Sequence, residues 1–218
     1  RFFDIIELAS KFYYKSLLES AEAASARAYL TERGLSEETI REWQVGYSSD
    51  SWDGMINFLK SKGYGENEIF ASGLSVKKEG TGRFYDRFRG RIMFPIRNIN
   101  GAPVAFSARV TPEKEATEKM GKYINSPTTL IYDKSRIIFG LDKAKQEIKK
   151  RDLVVLAEGQ MDVITAHQHG FKNVVASSGT ALSADQLNLL KRFTDNIALS
   201  FDMDKAGEMA AERGIREA

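Results

Sequence analysis

The chain has 218 residues, of which 42% are hydrophobic, so it is long enough for one large domain or two small ones with a real core. It contains no cysteine, which excludes disulfides, thiolate zinc sites and cysteine nucleophiles. Although 28% of the residues are charged, the net charge is only +2, and the sequence has no signal peptide and no apolar run near the ~20 residues of a membrane helix. We therefore expect a cytoplasmic protein without a membrane partner.

The first third of the chain is predicted to be helical. Apolar residues at helical spacing predict helices over residues 2–18, 23–33, 36–43 and 52–62. Gly34 and Gly63 follow the second and the fourth of these patterns, at the position where a left-handed residue ends a helix. We assign Trp43 and Trp52 to the core of this region in preference to base stacking, which is the alternative for an aromatic residue of a nucleic-acid-binding protein.

The middle of the chain changes to a strand pattern, RFYDRFRGRIMFPIRNINGAPVAFSARV. Asn100-Gly101 lies between two apolar runs and predicts a hairpin, because both residues tolerate positive φ. The polar residues 111–122 that follow predict a loop or an insertion.

Three arginines in this middle region are spaced two residues apart. Arg87, Arg89 and Arg91 are predicted to share one face of an extended segment, with aromatic residues interleaved. Such a face is typical of a surface that binds phosphate backbones. A solvated charged face explains any single arginine equally well, so both interpretations stay open.

From Asp152 onward, strand and helix patterns alternate. The strands are LVVLA, NVVAS and NIALSF, and the helices begin near residues 161, 183 and 206. Ser183 and Gln186 fit a capping box at the second helix. Connections of this length predict parallel strands with right-handed crossovers.

Acidic residues follow two of these strands where each strand stops. Glu158 and Asp162 come after LVVLA, and Asp202 and Asp204 come after NIALSF. Open α/β sheets hold their ligands at this edge, and converging carboxylates repel one another unless a cation joins them, which favours Mg²⁺ or Mn²⁺. Considered singly, Asp204 as a helix cap, Asp202 as a turn residue and Glu158 as a solvated strand-end acid are open alternatives.

Several segments together resemble a known family. EGQMDVI, SSGTAL and FDMDKAG resemble the toprim domain of bacterial primases, topoisomerases and some nucleases. YLTERGLSEETI, YDRFRGRIMFPI, KYINSP and DKSRIIFGLDKA resemble the RNA polymerase core of the bacterial replicative primases, so the resemblance covers essentially the whole chain. It implies a basic α+β N-terminal subdomain over residues 1–148, followed by an α/β toprim domain with a parallel sheet over residues 149–218, truncated at its C-terminal end.

The resemblance also implies roles for individual residues. Glu158, Asp202 and Asp204 match the metal-binding acids, and Asp162 matches a further catalytic acid close to them. The residues that match nucleotide-handling positions are Arg109, Lys122, Tyr123, Asn125 and Lys134. Arg33 and Arg109 match the basic groove that binds nucleic acid. Arg87, Arg89 and Arg91 are added to this predicted interface on their two-residue spacing. The chain departs from the family pattern at Ser107 and Ala108, where glycines are usual, and at Gln160, where Tyr is frequent.

The implied activity is synthesis of short RNA primers on single-stranded DNA at replication forks, by metal-dependent nucleotidyl transfer. The implied partners are the DNA template, the RNA–DNA hybrid and ribonucleoside triphosphates, with a replicative helicase and a single-strand-binding protein contacted through regions absent here. Because the chain begins at Arg1 and ends inside a helical pattern, we interpret it as a fragment without the family's zinc module, and with an incomplete metal site.

Two other functions stay open. One is another toprim enzyme, a nuclease or a topoisomerase, although a topoisomerase needs a nucleophilic tyrosine on an additional domain. The other is a non-catalytic toprim module that binds nucleic acid. The presence of Glu158, Asp202 and Asp204 together argues against this second alternative.

Overall fold

The computed structural model describes residues 1–117, 121–177 and 182–201. The chain divides into two compact units, which we call the first unit (residues 1–96 and 102–132) and the second unit (residues 97–101 and 133 onward). We expected the second domain to begin at residue 149. The second unit already includes residues 133–148, because Ile138, Leu141 and Ile148 lie in one hydrophobic cluster with Val154.

The first unit combines helices with two small sheets. Its helices are α1 (Phe2–Glu19), α2 (Ala24–Glu32), α3 (Glu37–Trp43), α4 (Gly54–Ser61), α5 (Glu66–Ala71) and α6 (Pro112–Thr117). The strands of this part of the chain are β1 (Gly46–Ser48), β2 (Ser75–Lys77), β3 (Phe84–Asp86), β4 (Arg91–Arg97), β5 (Pro103–Val110) and β6 (Tyr123–Asn125). One sheet has the order β1-β4-β5-β6, and β2 pairs with β3 in an antiparallel hairpin.

The four helices predicted in the first third are confirmed, and their ends follow local chemistry. Oγ of Ser36 accepts a hydrogen bond from the backbone N–H of Thr39 at 3.1 Å and caps α3. Gly34 and Gly63 have φ of +79° and +84°, as expected of residues that end a helix. The prediction of a loop for the polar residues after Val110 is wrong in part, because α6 forms there.

The core of the first unit forms where α1 packs on β1 and β5. The buried face of α1 consists of Ile5, Ile6, Ala9, Ser10, Tyr13 and Leu17. The backbone of Gly46 in β1 comes so close to α1 that a Cβ added there would lie 2.6 Å from Cβ of Tyr13. Only a glycine fits this approach, which sets the distance between the helix and the strand.

The predicted hairpin between β4 and β5 is confirmed, but its turn is longer than the Asn-Gly pair. The backbone N–H of Gly101 donates to the carbonyl oxygen of Asn98 at 2.9 Å, so the turn begins at Asn98. Of the predicted pair, Gly101 has positive φ (+86°) and Asn100 does not.

The second unit is an α/β structure with a parallel sheet, as predicted. Its helices are α7 (Leu141–Arg151), α8 (Gln160–Gln168) and α9 (Ala184–Leu190), and its strands are β7 (Val154–Ala157), β8 (Val174–Ala176) and β9 (Ile197–Ser200). The strand order is β8-β7-β9, and both pairs are parallel. Ser183 and Gln186 form the predicted capping box at α9. The helix predicted near residue 206 lies outside the described residues.

Apolar residues on one face of β7 form the hydrophobic cluster of this unit. Val154 and Leu156 alternate along β7 and pack in one cluster with Val175 and with Leu187 and Leu190 of α9. In the part of the chain that the structure describes, no helix has the length and hydropathy needed to cross a bilayer.

Candidate metal centre and nucleic-acid interface

The carboxyl ends of two neighbouring parallel strands form the edge at which the sequence predicts a metal site. Ala157 at the end of β7 pairs with Ser200 at the end of β9, so the two strands stop in register. Glu158 follows Ala157 directly and is exposed. Asp202 and Asp204 follow β9 in the sequence but lie outside the described residues, so their placement stays a prediction.

An open cleft of about 380 Å³ lies at this edge of the second unit. Glu158, Asp162 and Ser200 contribute oxygen atoms to its wall, and no imidazole of the described chain lines it. Oxygen donors of this kind fit a hard divalent cation such as Mg²⁺ or Mn²⁺. The described residues contain no group of three or more side chains able to hold a metal ion, so the aspartates beyond residue 201 are needed to complete the predicted set.

Asp162 orders the backbone beside Glu158. It lies in the first turn of α8, and its Oδ2 accepts a hydrogen bond from the backbone N–H of Gly159 at 3.0 Å. Gly159 is the residue between Glu158 and the helix, so this contact fixes the turn that leaves the strand. A carboxylate in the first turn also interacts favourably with the helix dipole.

The three arginines of the YDRFRGR motif do not share one face of a strand, so that prediction is wrong. β3 ends at Asp86 and β4 begins at Arg91, and the intervening bend contains Gly90 with φ of +59°. A residue with positive φ interrupts the alternation of an extended segment. Arg87, Arg89 and Arg91 therefore have three different surroundings.

Arg91 and Arg87 bond to the protein's own backbone. Arg91 is 1% exposed, and its Nη1 donates to the carbonyl oxygens of Gly121 at 3.2 Å and Ala108 at 3.5 Å. Nε of Arg87 donates to the carbonyl oxygen of Gly73 at 2.9 Å, and burial lowers the pKa of this guanidinium. Arg91 has almost no surface for a nucleic acid to contact, and we do not retain it in the interface.

Arg89 lies on an exposed aromatic surface that the sequence analysis missed. Its guanidinium carbon is 3.8 Å from the centre of the Trp52 ring and 5.3 Å from that of Tyr85. The two rings pack edge to face, with centroids 5.5 Å apart. Trp43 is buried as predicted, but Trp52 is 63% exposed, so its assignment to the core is wrong. The polar sequence around it, SSDSWDG, was the signal that could have indicated exposure.

Asp86 holds this Trp52–Arg89–Tyr85 stack in place. Its backbone N–H donates to the carbonyl oxygen of Trp52 at 2.7 Å, and its own carbonyl oxygen accepts from Nη1 of Arg89 at 3.1 Å. Its carboxylate accepts the backbone N–H groups of Met55 at 2.7 Å and Ile56 at 3.0 Å, at the start of α4. Burial raises the pKa of Asp86 to about 6, although these two hydrogen bonds act in the opposite direction.

The predicted nucleotide-handling residues of the first unit lie on two paired strands. Arg109 pairs with Tyr123, and Ser107 pairs with Asn125, across the antiparallel β5 and β6. Because paired residues and residues two apart share a face, these four side chains lie on the same face of the ribbon. Ser107, which replaces the usual glycine, is buried, and its Oγ has no hydrogen-bond partner among the described residues.

Arg109 is held by contacts within the first unit. It is 6% exposed, its guanidinium carbon lies 4.2 Å from the centre of the Tyr29 ring, and its Nη2 bonds to Glu115 at 3.2 Å. Nζ of Lys122 lies 3.9 Å from the same carboxylate, and the Lys122 side chain is 59% exposed. Glu115 therefore forms ion pairs with two cations, Arg109 and Lys122, at one end of the ribbon of β5 and β6.

Two further predicted cations lie elsewhere. Arg33 is exposed at the end of α2 in the first unit. Lys134 is half-buried in the second unit, where its carbonyl oxygen accepts a hydrogen bond from Nε2 of Gln186 at 3.1 Å.

Family models match both halves of the chain. A model described as "DNA primase catalytic core, N-terminal domain" matches residues 13–145, and a model described as "Toprim-like" matches residues 155–218. A DNA primase of Deinococcus radiodurans is 44% identical over 188 residues, which are 86% of this chain and 32% of that protein. The chain thus spans about a third of the length of the curated relatives it matches.

Solved structures show the same similarity. The crystal structure of the RNA polymerase domain of Mycobacterium tuberculosis primase DnaG matches with a TM-score of 0.89 at 37% identity, over 99% of this chain and 71% of that chain. A DnaG primase catalytic domain bound to ssDNA matches with a TM-score of 0.85 at 36% identity, over 100% of this chain and 66% of that chain.

Proposed function

The chain belongs to the family of DNA primase catalytic cores, and from this premise we propose that it forms part of an enzyme that makes short RNA primers on single-stranded DNA. The reaction is template-directed nucleotidyl transfer. A 3′-hydroxyl attacks the α-phosphorus of a ribonucleoside triphosphate, and pyrophosphate leaves. Such a reaction depends on positioning and on neutralising negative charge, so it needs no covalent intermediate on the protein.

The observation that carries the proposal is the in-register end of β7 and β9, with exposed Glu158 beside it. We infer that Glu158, Asp202 and Asp204 hold divalent ions, Mg²⁺ or Mn²⁺, at this edge. Such ions supply charge neutralisation for the triphosphate and lower the pKa of an attacking hydroxyl. Asp162 serves this site by fixing Gly159, and therefore the direction in which the backbone leaves Glu158.

The stack of Trp52, Arg89 and Tyr85 provides the surface for the template strand. An exposed aromatic ring stabilises a stacked base by about 1–3 kcal/mol, and the effect depends little on which base it is. Arg89 adds positive charge directly on the Trp52 ring, where a phosphate next to the stacked base can be neutralised. Exposed Arg33 and half-buried Arg87 add further charge. The related catalytic domain bound to ssDNA supports a DNA-binding role, without indicating which residues make the contacts.

The ribbon of β5 and β6 is the proposed surface for the incoming nucleotide. Lys122 and Tyr123 are exposed at its end, where an ammonium and a phenol are available to a triphosphate and a base. Arg109 and Asn125 lie on the Tyr123 face of the ribbon. Lys134 belongs to the second unit, and its role with nucleotide phosphates stays a separate prediction. Because Arg109 is almost buried, we do not expect it to contact the nucleotide directly. We expect its charge to act on the triphosphate electrostatically, together with the charges of Glu115 and Lys122.

Binding and chemistry are separable in this proposal, which gives a direct test. In the full-length protein, Glu158→Gln should abolish Mg²⁺-dependent incorporation of ribonucleotides while leaving the affinity for single-stranded DNA unchanged. Trp52→Ala should weaken that affinity by about 5- to 100-fold, as the loss of one stacked base predicts. Asp142→Asn is a control for the loss of one carboxylate from the second unit, because Asp142 lies outside the cleft.

The results that contradict the proposal are specific. Normal synthesis by Glu158→Gln would show that the acid at the strand end holds no essential metal. Cleavage of the template instead of nucleotide incorporation by the unmodified protein would replace the primase assignment with that of a toprim nuclease. Binding without either reaction would indicate the non-catalytic module.

Membership of this family also suggests the location and the partners of the proposed enzyme. We propose that the enzyme acts in the cytoplasm on the template strand and on the RNA–DNA hybrid that its own synthesis creates. Contacts with a replicative helicase and a single-strand-binding protein would involve segments of such proteins other than the one described here.

A further inference from the structure

The hairpin of β2 and β3 carries cations that the proposed function does not use. The backbone N–H of Lys78 donates to the carbonyl oxygen of Arg83 at 2.8 Å, so the pairing continues one step beyond the two strands. Lys78 and Arg83 are both exposed. Between them, Gly80 and Gly82 have φ of +79° and +67° and close the loop without large side chains.

The register of the hairpin places its cations on two faces. Lys77 pairs with Phe84, and the next pair outward is Lys78 with Arg83. Because side chains alternate along a strand, Lys78 and Arg83 share the face of Tyr85, and Lys77 lies on the opposite face. Nζ of Lys77 is 5.6 Å from the centre of the Phe84 ring, as expected for two residues on that opposite face.

The face that carries Lys78 and Arg83 continues the aromatic stack. Tyr85 on this face packs edge to face against Trp52 and lies beneath the guanidinium of Arg89. Two residues along a strand span about 7 Å, so Arg83 lies one same-face step outward from Tyr85, and Lys78 lies opposite Arg83. The cations therefore lie next to the stack on the same face, where phosphates that flank a stacked base can be bound.

Among residues 1–117, 121–177 and 182–201, the cations of this face have no ion-pair partner. Within the described residues, no carboxylate lies within ion-pair distance of Lys78 or Arg83, whereas Lys60 pairs with Glu66 at 2.8 Å. Glu79 is the single acid in the loop sequence KEGTGR. Two exposed cations on one side of a hairpin, next to an exposed Trp, suit a phosphodiester backbone better than an acidic protein surface, which has no base to stack.

We propose that Lys78 and Arg83 bind the phosphates of the same DNA strand whose base stacks on Trp52. The hairpin thus extends the interface outward from the stack, through contacts that do not depend on base sequence. This inference rests on the proposed function, because it takes the Trp52 stack as the starting point of the strand.

The test compares three substitutions with the same change of net charge in the same hairpin. Lys78→Gln and Arg83→Gln remove cations from the proposed face, and the control Lys77→Gln removes one from the opposite face. The affinity for a fluorescently labelled oligothymidylate is measured by anisotropy at several salt concentrations. Each of the first two variants should lower the slope of log K against log salt by about 0.7, and the control should leave the slope unchanged.

Two outcomes would overturn the inference. If Lys77→Gln lowers the slope as much as the other two variants, the hairpin acts only through its overall charge and has no binding face. If none of the three variants changes the slope, the hairpin does not touch the strand. Trp52→Ala, measured in parallel, tests the proposed function separately. If Trp52→Ala weakens binding while none of the three hairpin variants changes the slope, only the hairpin contact is rejected.

Discussion

Asp86 should make the stability of the first unit fall as the pH rises. The residue is 4% exposed, and burial raises its pKa from the usual 3.8 to about 6. The nearby carboxylate of Asp53 acts in the same direction, and the guanidinium of Arg89 acts against it. Because the folded protein holds this proton more tightly than the unfolded chain, the contribution of Asp86 is fully present below about pH 4 and is lost as the pH passes through about 6.

The expected size of this effect follows from the two pKa values. A rise from 3.8 to about 6, at about 1.4 kcal/mol per pH unit, corresponds to about 3 kcal/mol of the free energy of unfolding. Asp86→Asn has no proton to lose in this range. The free energy of unfolding of the unmodified protein, minus that of the variant, should therefore decrease by about 2–2.5 kcal/mol between pH 4 and pH 7, because part of the full change falls below pH 4.

Urea unfolding followed by tryptophan fluorescence measures this difference in the appropriate part of the molecule. The chain contains two tryptophans, Trp43 and Trp52, and both lie in the first unit, so their emission reports the unfolding of that unit. Glu68→Gln is a control, because the bond to Arg1 lowers the pKa of Glu68 to about 2, so its contribution is lost mainly below about pH 4.5 and should change little between pH 5 and pH 7. A difference for Asp86→Asn that stays constant or grows with pH would show that the carboxylate is not desolvated in the folded state.

Three other substitutions separate stability from binding. Gly46→Ala should lower the free energy of unfolding by about 1–3 kcal/mol, because its Cβ would overlap the backbone of Tyr13 in α1; urea unfolding at pH 7 checks this. Arg91→Met should lower it by about 1–3 kcal/mol, since the carbonyl groups that the guanidinium contacts lose their donor, whereas the affinity for single-stranded DNA should change little. Arg89→Met should show the reverse pattern, with weaker DNA binding and nearly unchanged unfolding, and equal effects of the two arginine substitutions on binding would contradict the assignment.

The helices and the parallel sheet could be predicted because their signals are local. The capping box of Ser183 and the glycine after α2 act within a few residues of the elements they delimit. The apolar runs of β7 and β9 are short and strongly hydrophobic, and the connections between them leave parallel pairing as the simplest topology. The position of Glu158 at the strand edge followed from these runs alone.

The errors concern residues whose surroundings depend on distant parts of the chain. Arg91 is buried because the carbonyl groups of Ala108 and Gly121, far along the sequence, bond to its guanidinium. Trp52 is exposed because its ring packs on Tyr85 and Arg89 at the surface rather than beneath α1. Neither contact produces a periodic pattern in the sequence. The two-residue spacing of Arg87, Arg89 and Arg91 therefore predicted one shared face, although the three side chains have different surroundings.

The surfaces proposed for chemistry and for strand binding belong to different compact units, and this division has a consequence for how substitutions act. The carboxylate edge belongs to the second unit, where Asp162 orders the turn at Glu158 through a contact of 3.0 Å with Gly159. The aromatic stack belongs to the first unit, where Asp86 orders it through bonds to Trp52 and to the start of α4. Each surface is therefore positioned by a carboxylate of its own unit that bonds to backbone N–H groups. Substitution of the positioning acid in one unit should impair one function and spare the other, because Asp86 orders residues of the first unit and Asp162 orders a residue of the second.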